Sequence, residues 1–106
     1  MAKYLVEASY TPEGLRGLSR DKASGRKTAI EAALSNIGGT LDALYFAFGE
    51  RDVYVICDFP SHVSAAALGM VASASGMVRT KITPLLTVEE TDQALSQSVG
   101  YRPPGA

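Results

Sequence analysis

The feature that most restricts the fold is an apolar segment in the middle of the chain, Leu44–Pro60, with the sequence LYFAFGERDVYVICDFP. Two runs rich in aromatic and β-branched residues, Leu41–Phe48 and Asp52–Phe59, flank the polar residues Gly49–Arg51. Strand-like runs joined by about three residues that include a glycine are typical of an antiparallel hairpin. The segment therefore predicts a β-hairpin at the centre of the fold.

Both faces of this hairpin are apolar. In the first strand Leu44 and Phe46 alternate with Tyr45, and in the second strand Tyr54 and Ile56 alternate with valines. An antiparallel sheet that faces water is normally polar on its solvated side. The sequence therefore predicts that protein covers both sides of the hairpin.

The flanking segments predict the order strand, helix, strand, strand, helix, strand, with an extra C-terminal helix. Before the hairpin we expect a strand over Lys3–Tyr10 and a helix that starts after Thr11, breaks near Asp21–Gly25 and ends at Gly38-Gly39. After the hairpin, Ser61 opens a helix whose predicted buried stripe is Val63, Ala66, Ala67, Met70, Val71 and Ala74. A strand over Met77–Leu86 and a helix over Val88–Gln97 follow. This order is that of the ferredoxin-like α+β sandwich, βαββαβ. We expect a single domain over residues 1–106, with residues 98–106 as an extended tail.

Right-handed crossovers place both main helices on one face of such a sheet, so the other face is left bare. Large apolar groups on a bare face form a bigger patch than a monomer usually exposes. We therefore expect a second copy to cover this face, as in a dimeric α+β barrel. Two alternatives are a trimeric ring and an intramolecular cover by the terminal helix, whose only large apolar residues are Val88 and Leu95.

Three stretches carry a resemblance to a known family: Lys3–Val6, the hairpin Phe48–Ile56, and Asp58–Pro60. On these the chain resembles the GYD-domain family, small bacterial proteins of uncharacterised function, over nearly its whole length. The tyrosine that gives the family its name, just before the aspartate, is Arg51 here. The resemblance implies a ferredoxin-like fold and self-association of the dimeric α+β-barrel type, and it implies no reaction.

Composition excludes several classes of partner. The net charge is −1, so no overall field attracts nucleic acid or an anionic membrane. No apolar run approaches the roughly 20 residues of a membrane span, and the first residues lack the pattern of a signal peptide. A single cysteine, Cys57, allows no internal disulfide. We expect a cytoplasmic protein that binds neither nucleic acid nor membrane.

Few residues are candidates for chemistry. His62 and Asp52 are weak catalytic candidates, although Asp52 next to a turn usually caps backbone amides and His62 at a helix start is usually solvated. Cys57 alternates with core positions and is expected to be a buried hydrophobe. The chain has no phosphate-binding loop and no set of cysteines and histidines at metal-binding spacing, so we expect no cofactor and no metal.

Four residues are candidates for ligand binding: Tyr10, Tyr45, Tyr54 and Arg79. If the strand face that carries Arg79 lines a barrel, Arg79 and Lys81 form an anion site beside Tyr45 or Tyr54. The alternative is a solvated edge strand whose charges prevent aggregation.

The leading hypothesis is a non-enzymatic, self-associating module that binds a small, partly apolar molecule or a protein partner. The alternative is a cofactor-independent oxygenase or isomerase whose substrate lies between sheet and helices, near Tyr10, Tyr45, Tyr54, Asp52 and His62. Two polar groups that converge in a deep cavity would favour the enzyme.

Overall fold

A computed structural model describes all residues from 1 to 106 and contains four strands and three helices. In chain order these are β1 Ala2–Tyr10, α1 Pro12–Asn36, β2 Thr40–Phe46, β3 Val53–Phe59, α2 His62–Ala74, β4 Val78–Leu85 and α3 Val88–Leu95. The strands form one sheet in the order β2-β3-β1-β4, and all neighbours are antiparallel. This α+β arrangement agrees with the predicted ferredoxin-like fold.

The central hairpin forms as predicted, with shorter strands. Tyr45 lies opposite Tyr54, and Leu44 lies opposite Val55. The first strand ends at Phe46, and the side chain of Phe48 is fully exposed, so the prediction that the strand continues to Phe48 is wrong. Beyond Phe46 only one main-chain hydrogen bond, from Ala47 N–H to the Asp52 carbonyl at 2.8 Å, continues the pairing.

The core lies between the sheet and the two main helices, α1 and α2. The buried side chains of this core are Tyr4, Val6, Leu34, Val53, Val55, Cys57, Phe59 and Ala65. The rings of Tyr4 and Phe59 meet edge to face with centroids 5.2 Å apart, a favoured aromatic geometry. Six of these residues are alternate positions of β1 and β3, as the sequence pattern predicts, and the other two, Leu34 and Ala65, come from α1 and α2.

Helix α1 is bent where the sequence predicts a break. Thr11 caps its first turn by accepting a hydrogen bond from Gly14 N–H. Lys22 has φ 65° and ψ 168°, a conformation that is costly for any residue other than glycine, and it divides the helix into two segments. Gly38, with φ 77°, takes the left-handed conformation expected after the helix end.

Helix α2 turns a different face to the sheet from the one predicted. Ala65 is buried, whereas Val63, Met70 and Val71 are 66%, 72% and 71% exposed. The predicted stripe is wrong because α2 is apolar on every side, so hydrophobic periodicity does not select a face. Small residues select it instead: a Cβ atom on Gly69 would lie only 3.0 Å from the Ile82 side chain, so the glycine lets α2 approach β4 closely.

The last helix, α3, projects away from the domain. A capping box between Thr87 and Glu90 opens it, but all its residues are exposed, including Val88 and Leu95. The radius of gyration is 16.8 Å, whereas a compact chain of this length has about 13 Å. The alternative in which this helix covers the bare side of the sheet is therefore wrong.

The sheet consequently has one face without a cover, which we call the free face. Its side chains are Lys3, Leu5, Glu7, Ser9, Thr40, Ala43, Tyr45, Tyr54, Ile56, Asp58, Arg79, Lys81, Thr83 and Leu85. Tyr45 is 69% exposed and Tyr54 36%. The hairpin residues Leu44 and Phe46 do not belong to the free face, because both lie on the helix side, opposite Val55 and Val53.

None of the helices has a stretch that is both long enough and apolar enough to cross a membrane.

Candidate functional site

An apolar chamber lies between the two main helices and the sheet. Its volume is about 140 Å³, and thirteen of its fifteen lining residues are hydrophobic. The chamber exists because α1 packs over β1 and β2 while α2 packs over β4 and β3. The lining residues of the two helices include the small side chains of Ala33 and Ala72, which leave space between the helices. Val6, Val55 and Val78 line it from the sheet.

The chamber continues into a wider vestibule of about 390 Å³. Both spaces share the side chains of Tyr10, Arg26, Ala33, Leu68, Ala72 and Val78, so they form one cleft. The vestibule is more polar than the chamber because Glu13, Arg20 and Asp21 line it. The bend at Lys22 separates Asp21 from Arg26 along α1, beside the vestibule. A molecule can thus reach the chamber through a polar entrance.

Arg26 is the charged group in the wall of the chamber. Its side chain is half-buried, whereas the neighbouring residues of α1 from Ser19 to Ala29 are exposed. The ion pairs of the chain involve Lys3 and Arg51, and none involves Arg26. Burial raises the pKa of the Tyr10 hydroxyl, and the nearby Arg26 guanidinium partly offsets that rise. Arg26 and Tyr10 together form a polar neck between vestibule and chamber.

The Cys57 thiol lies on the sheet side of the chamber and is fully buried. Burial, with a smaller effect of the nearby carboxylates of Asp58 and Asp42, raises its pKa to about 11. The thiol is therefore protonated at neutral pH, when it lacks the thiolate form that makes a cysteine nucleophilic. This agrees with its predicted place in the core.

The raised pKa of Cys57 predicts a loss of stability at alkaline pH. The unfolded thiol ionises near its ordinary pKa of 9.0 and the folded one only near about 11. The contribution of the thiol to the free energy of unfolding is therefore complete below the lower value and is lost as pH rises towards the higher one. Between about pH 8 and pH 10.5 we expect the free energy of unfolding to fall by about 2 kcal/mol because of this thiol.

Urea denaturation across this pH range measures the loss. Cys57→Ala is the control, because tyrosines and lysines titrate equally in both proteins. The stability difference between wild type and Cys57→Ala should shrink as pH rises. A difference that stays constant would contradict the raised pKa.

The residues predicted from sequence do not gather at one place. Tyr10 is in the cleft, Tyr45, Tyr54 and Arg79 are on the free face, and His62 is exposed at the start of α2, outside both chamber and vestibule. Tyr45 is on one edge strand and Arg79 on the other, about 14 Å apart across three strand spacings. One chain alone therefore does not form an anion site from Arg79 and Tyr45.

Asp52 is engaged in joining strands. Its carboxylate accepts a hydrogen bond from Tyr10 N–H at 2.8 Å, and its own N–H donates to the Ala8 carbonyl at 2.9 Å. Arg51, which replaces the family tyrosine, lies with its Nε 3.9 Å from a Glu7 carboxylate oxygen. Both residues fix the hairpin end against β1.

Arg26 is not among the site residues predicted above, although its position in the sequence carries a signal. Arg26 stands four residues before Ile30 and eight before Leu34, which places it on the same helix face as these apolar residues. A charged residue on an otherwise apolar helix face is an informative exception. Arg26 is at the start of the apolar stripe of α1, and this position places its side chain beside the core.

Comparison with known proteins gives a family. The model of the family described as GYD domain matches residues 4–95. Searches of curated proteins and of solved structures return no match. The matched region contains the sheet except for the first two residues of β1, all three helices and every residue of the cleft. The chain therefore belongs to the GYD domain family.

Proposed function

We propose that the protein is a self-associating module that binds a small, mostly apolar molecule in its cleft. The observation that carries this proposal is the chamber, an apolar space of about 140 Å³ with a polar entrance. Apolar side chains that line such an open space stay in contact with water, and covering them gains about 25 cal/mol per Å² of apolar surface. A ligand that fills it recovers that free energy, which supports binding as the role of the cleft.

The self-association part of the proposal rests on the free face. Its central row, Ala43, Ile56, Leu5 and Thr83, crosses all four strands and bears no charge. No element of the same chain packs over this row, since α3 points away. A second copy is the partner that such a face fits, because apolar rows from two copies can cover each other.

Charge on the two ends of the free face supports the same pairing. At one end Lys3 lies between two carboxylates, with a hydrogen bond to Asp42 and its Nζ 3.2 Å from Asp58. The opposite end carries three cations, Arg51, Arg79 and Lys81, together with the carboxylates of Glu7, Glu50 and Asp52. A twofold axis between two faces, at right angles to the strands, brings the carboxylates of Asp42 and Asp58 in each copy over the end of the other copy that carries Arg79 and Lys81.

Ligand binding is tested with benzyl alcohol, a neutral molecule of one aromatic ring, in an NMR titration. We expect chemical shift changes at the methyl groups of Val6, Val55 and Val78, which line the chamber. Ala33→Leu adds three carbon atoms at the gap and should weaken binding at least tenfold. Ala66→Leu makes the same change on the exposed side of α2 and should leave binding unchanged. Equal binding to both variants would contradict a site in the chamber.

A further inference from the structure

We infer that the ligand of the cleft is a small carboxylic acid, whose apolar body fills the chamber and whose carboxylate pairs with Arg26. This inference rests on the proposed function and adds the chemical class of the ligand. It follows from the size of the chamber, from the state of Arg26 and from the groups beside it.

Size limits the apolar body. An apolar cavity of about 150 Å³ holds one benzene molecule, and the chamber has about 140 Å³. One aromatic ring or an aliphatic chain of about six carbons therefore fits. The hydrophobic lining offers few partners for the several hydroxyl groups of a sugar, since the polar groups of the lining are Arg26, Thr80 and the Tyr10 hydroxyl at the neck. The Thr80 hydroxyl is already 3.3 Å from that of Ser73, within hydrogen-bond distance.

Arg26 determines the charge of the ligand. A guanidinium that is partly withdrawn from water and has no anionic partner is poorly stabilised. The side chain of Arg26 is in this condition, although it is in the wall of both chamber and vestibule. Its planar fork of N–H groups matches the two oxygens of a carboxylate. An anionic head held at the neck would leave the ring or chain directed into the chamber.

Tyr10 adds a second donor at the same point. Its hydroxyl lies near the Arg26 guanidinium, and burial raises its pKa, so the hydroxyl keeps its proton at neutral pH. It can then donate a hydrogen bond to the carboxylate that Arg26 pairs with. One cation and one hydroxyl suit a single negative charge, whereas a phosphate dianion usually needs more cationic groups.

The test compares phenylacetate with phenylacetamide, which has nearly the same shape and no charge. Isothermal titration calorimetry is performed on the full chain, on Arg26→Gln and on Arg16→Gln. We expect wild type to bind the acid about ten- to a hundredfold more tightly than the amide, as for a charge-assisted pair. Arg26→Gln should remove this difference. Arg16→Gln, a change of an exposed arginine that lines neither chamber nor vestibule, should keep it.

The outcomes separate this inference from the proposed function. If wild type binds acid and amide equally, or if Arg26→Gln keeps the preference for the acid, the carboxylate inference is overturned while the cleft remains a binding site. If neither compound binds and benzyl alcohol also fails to shift the chamber methyl groups, the proposed function itself fails. If Arg26→Gln does not fold, the acid and the amide are compared on wild type and on Arg16→Gln alone. Equal binding of the acid and the amide to these two proteins would then overturn the inference.

Discussion

Replacing Gly14 by alanine is expected to destabilise the fold by about 3 kcal/mol. A Cβ atom at this position would lie 2.0 Å from the Met77 carbonyl oxygen, in the backbone of the loop before β4. The first turn of α1 is held to this loop by hydrogen bonds from Thr11, whose N–H donates to the Met77 carbonyl at 2.9 Å and whose hydroxyl donates to the Gly76 carbonyl at 2.9 Å. The clash would separate the two segments and break these bonds.

Thermal denaturation measures the effect, at one protein concentration because association changes apparent stability. The melting temperature should fall by about 12 to 24 °C for a domain of this size. The matched control is Gly17→Ala, in the same helix, where the nearest atom to an added Cβ is 4.0 Å away. There the better helix propensity of alanine should stabilise the fold by about 1 kcal/mol. Two variants that behave alike would contradict the close approach at Gly14.

Replacing Ile56 by glutamate is expected to weaken self-association by at least a hundredfold. Ile56 is in the apolar row of the free face, next to Leu5 of the neighbouring strand. In a twofold pairing of two free faces, each dimer would bury two unpaired carboxylates. An uncompensated charge in an interface costs about 3–5 kcal/mol, which corresponds to a factor of 10² or more in the dissociation constant.

Sedimentation velocity at several concentrations distinguishes the outcomes. Ile56→Glu should sediment as a folded monomer, because Ile56 does not belong to the buried core of the single chain. Val63→Glu is the control: Val63 is 66% exposed on the outer side of α2, away from the free face, and its variant should associate like wild type. Association that survives Ile56→Glu but not Val63→Glu would place the interface on the helices instead.

Local chemistry made much of the fold predictable. The break in α1 follows from glycines and a polar run around Lys22, and the left-handed Gly38 follows from the Gly-Gly pair after the helix. Pro84 cannot donate a ladder hydrogen bond, which is compatible with the position of β4 at the edge of the sheet. Each of these features is decided within a few residues, so the sequence alone was sufficient.

The candidate site could not be predicted from the sequence, because it depends on the distance between two helices, which no local sequence pattern determines. The cleft exists because Ala33 and Ala72, on different helices, leave a gap above β1 and β3, and the spacing of two helices is set by all their contacts with the sheet. The buried side of α2 was predicted wrongly for a related reason, since the helix is apolar all round and packing against Ile82 selected its small residues. The position of Arg26 beside the core could have been predicted from its helical spacing to Ile30. Its lack of an ion pair could not be predicted, because that depends on which carboxylates lie near it in the fold.

A crystal structure of the protein with benzyl alcohol tests the binding role of the cleft most directly. We expect the ring between α1 and α2, in contact with Val6, Val55 and Ala33, with the hydroxyl of the alcohol directed to the neck at Tyr10 and Arg26. The same crystal should leave the chamber lining in its present arrangement, since the space already exists. Helices closed over the sheet with Ala33 against Ala72, and the compound bound elsewhere or not at all, would contradict the account.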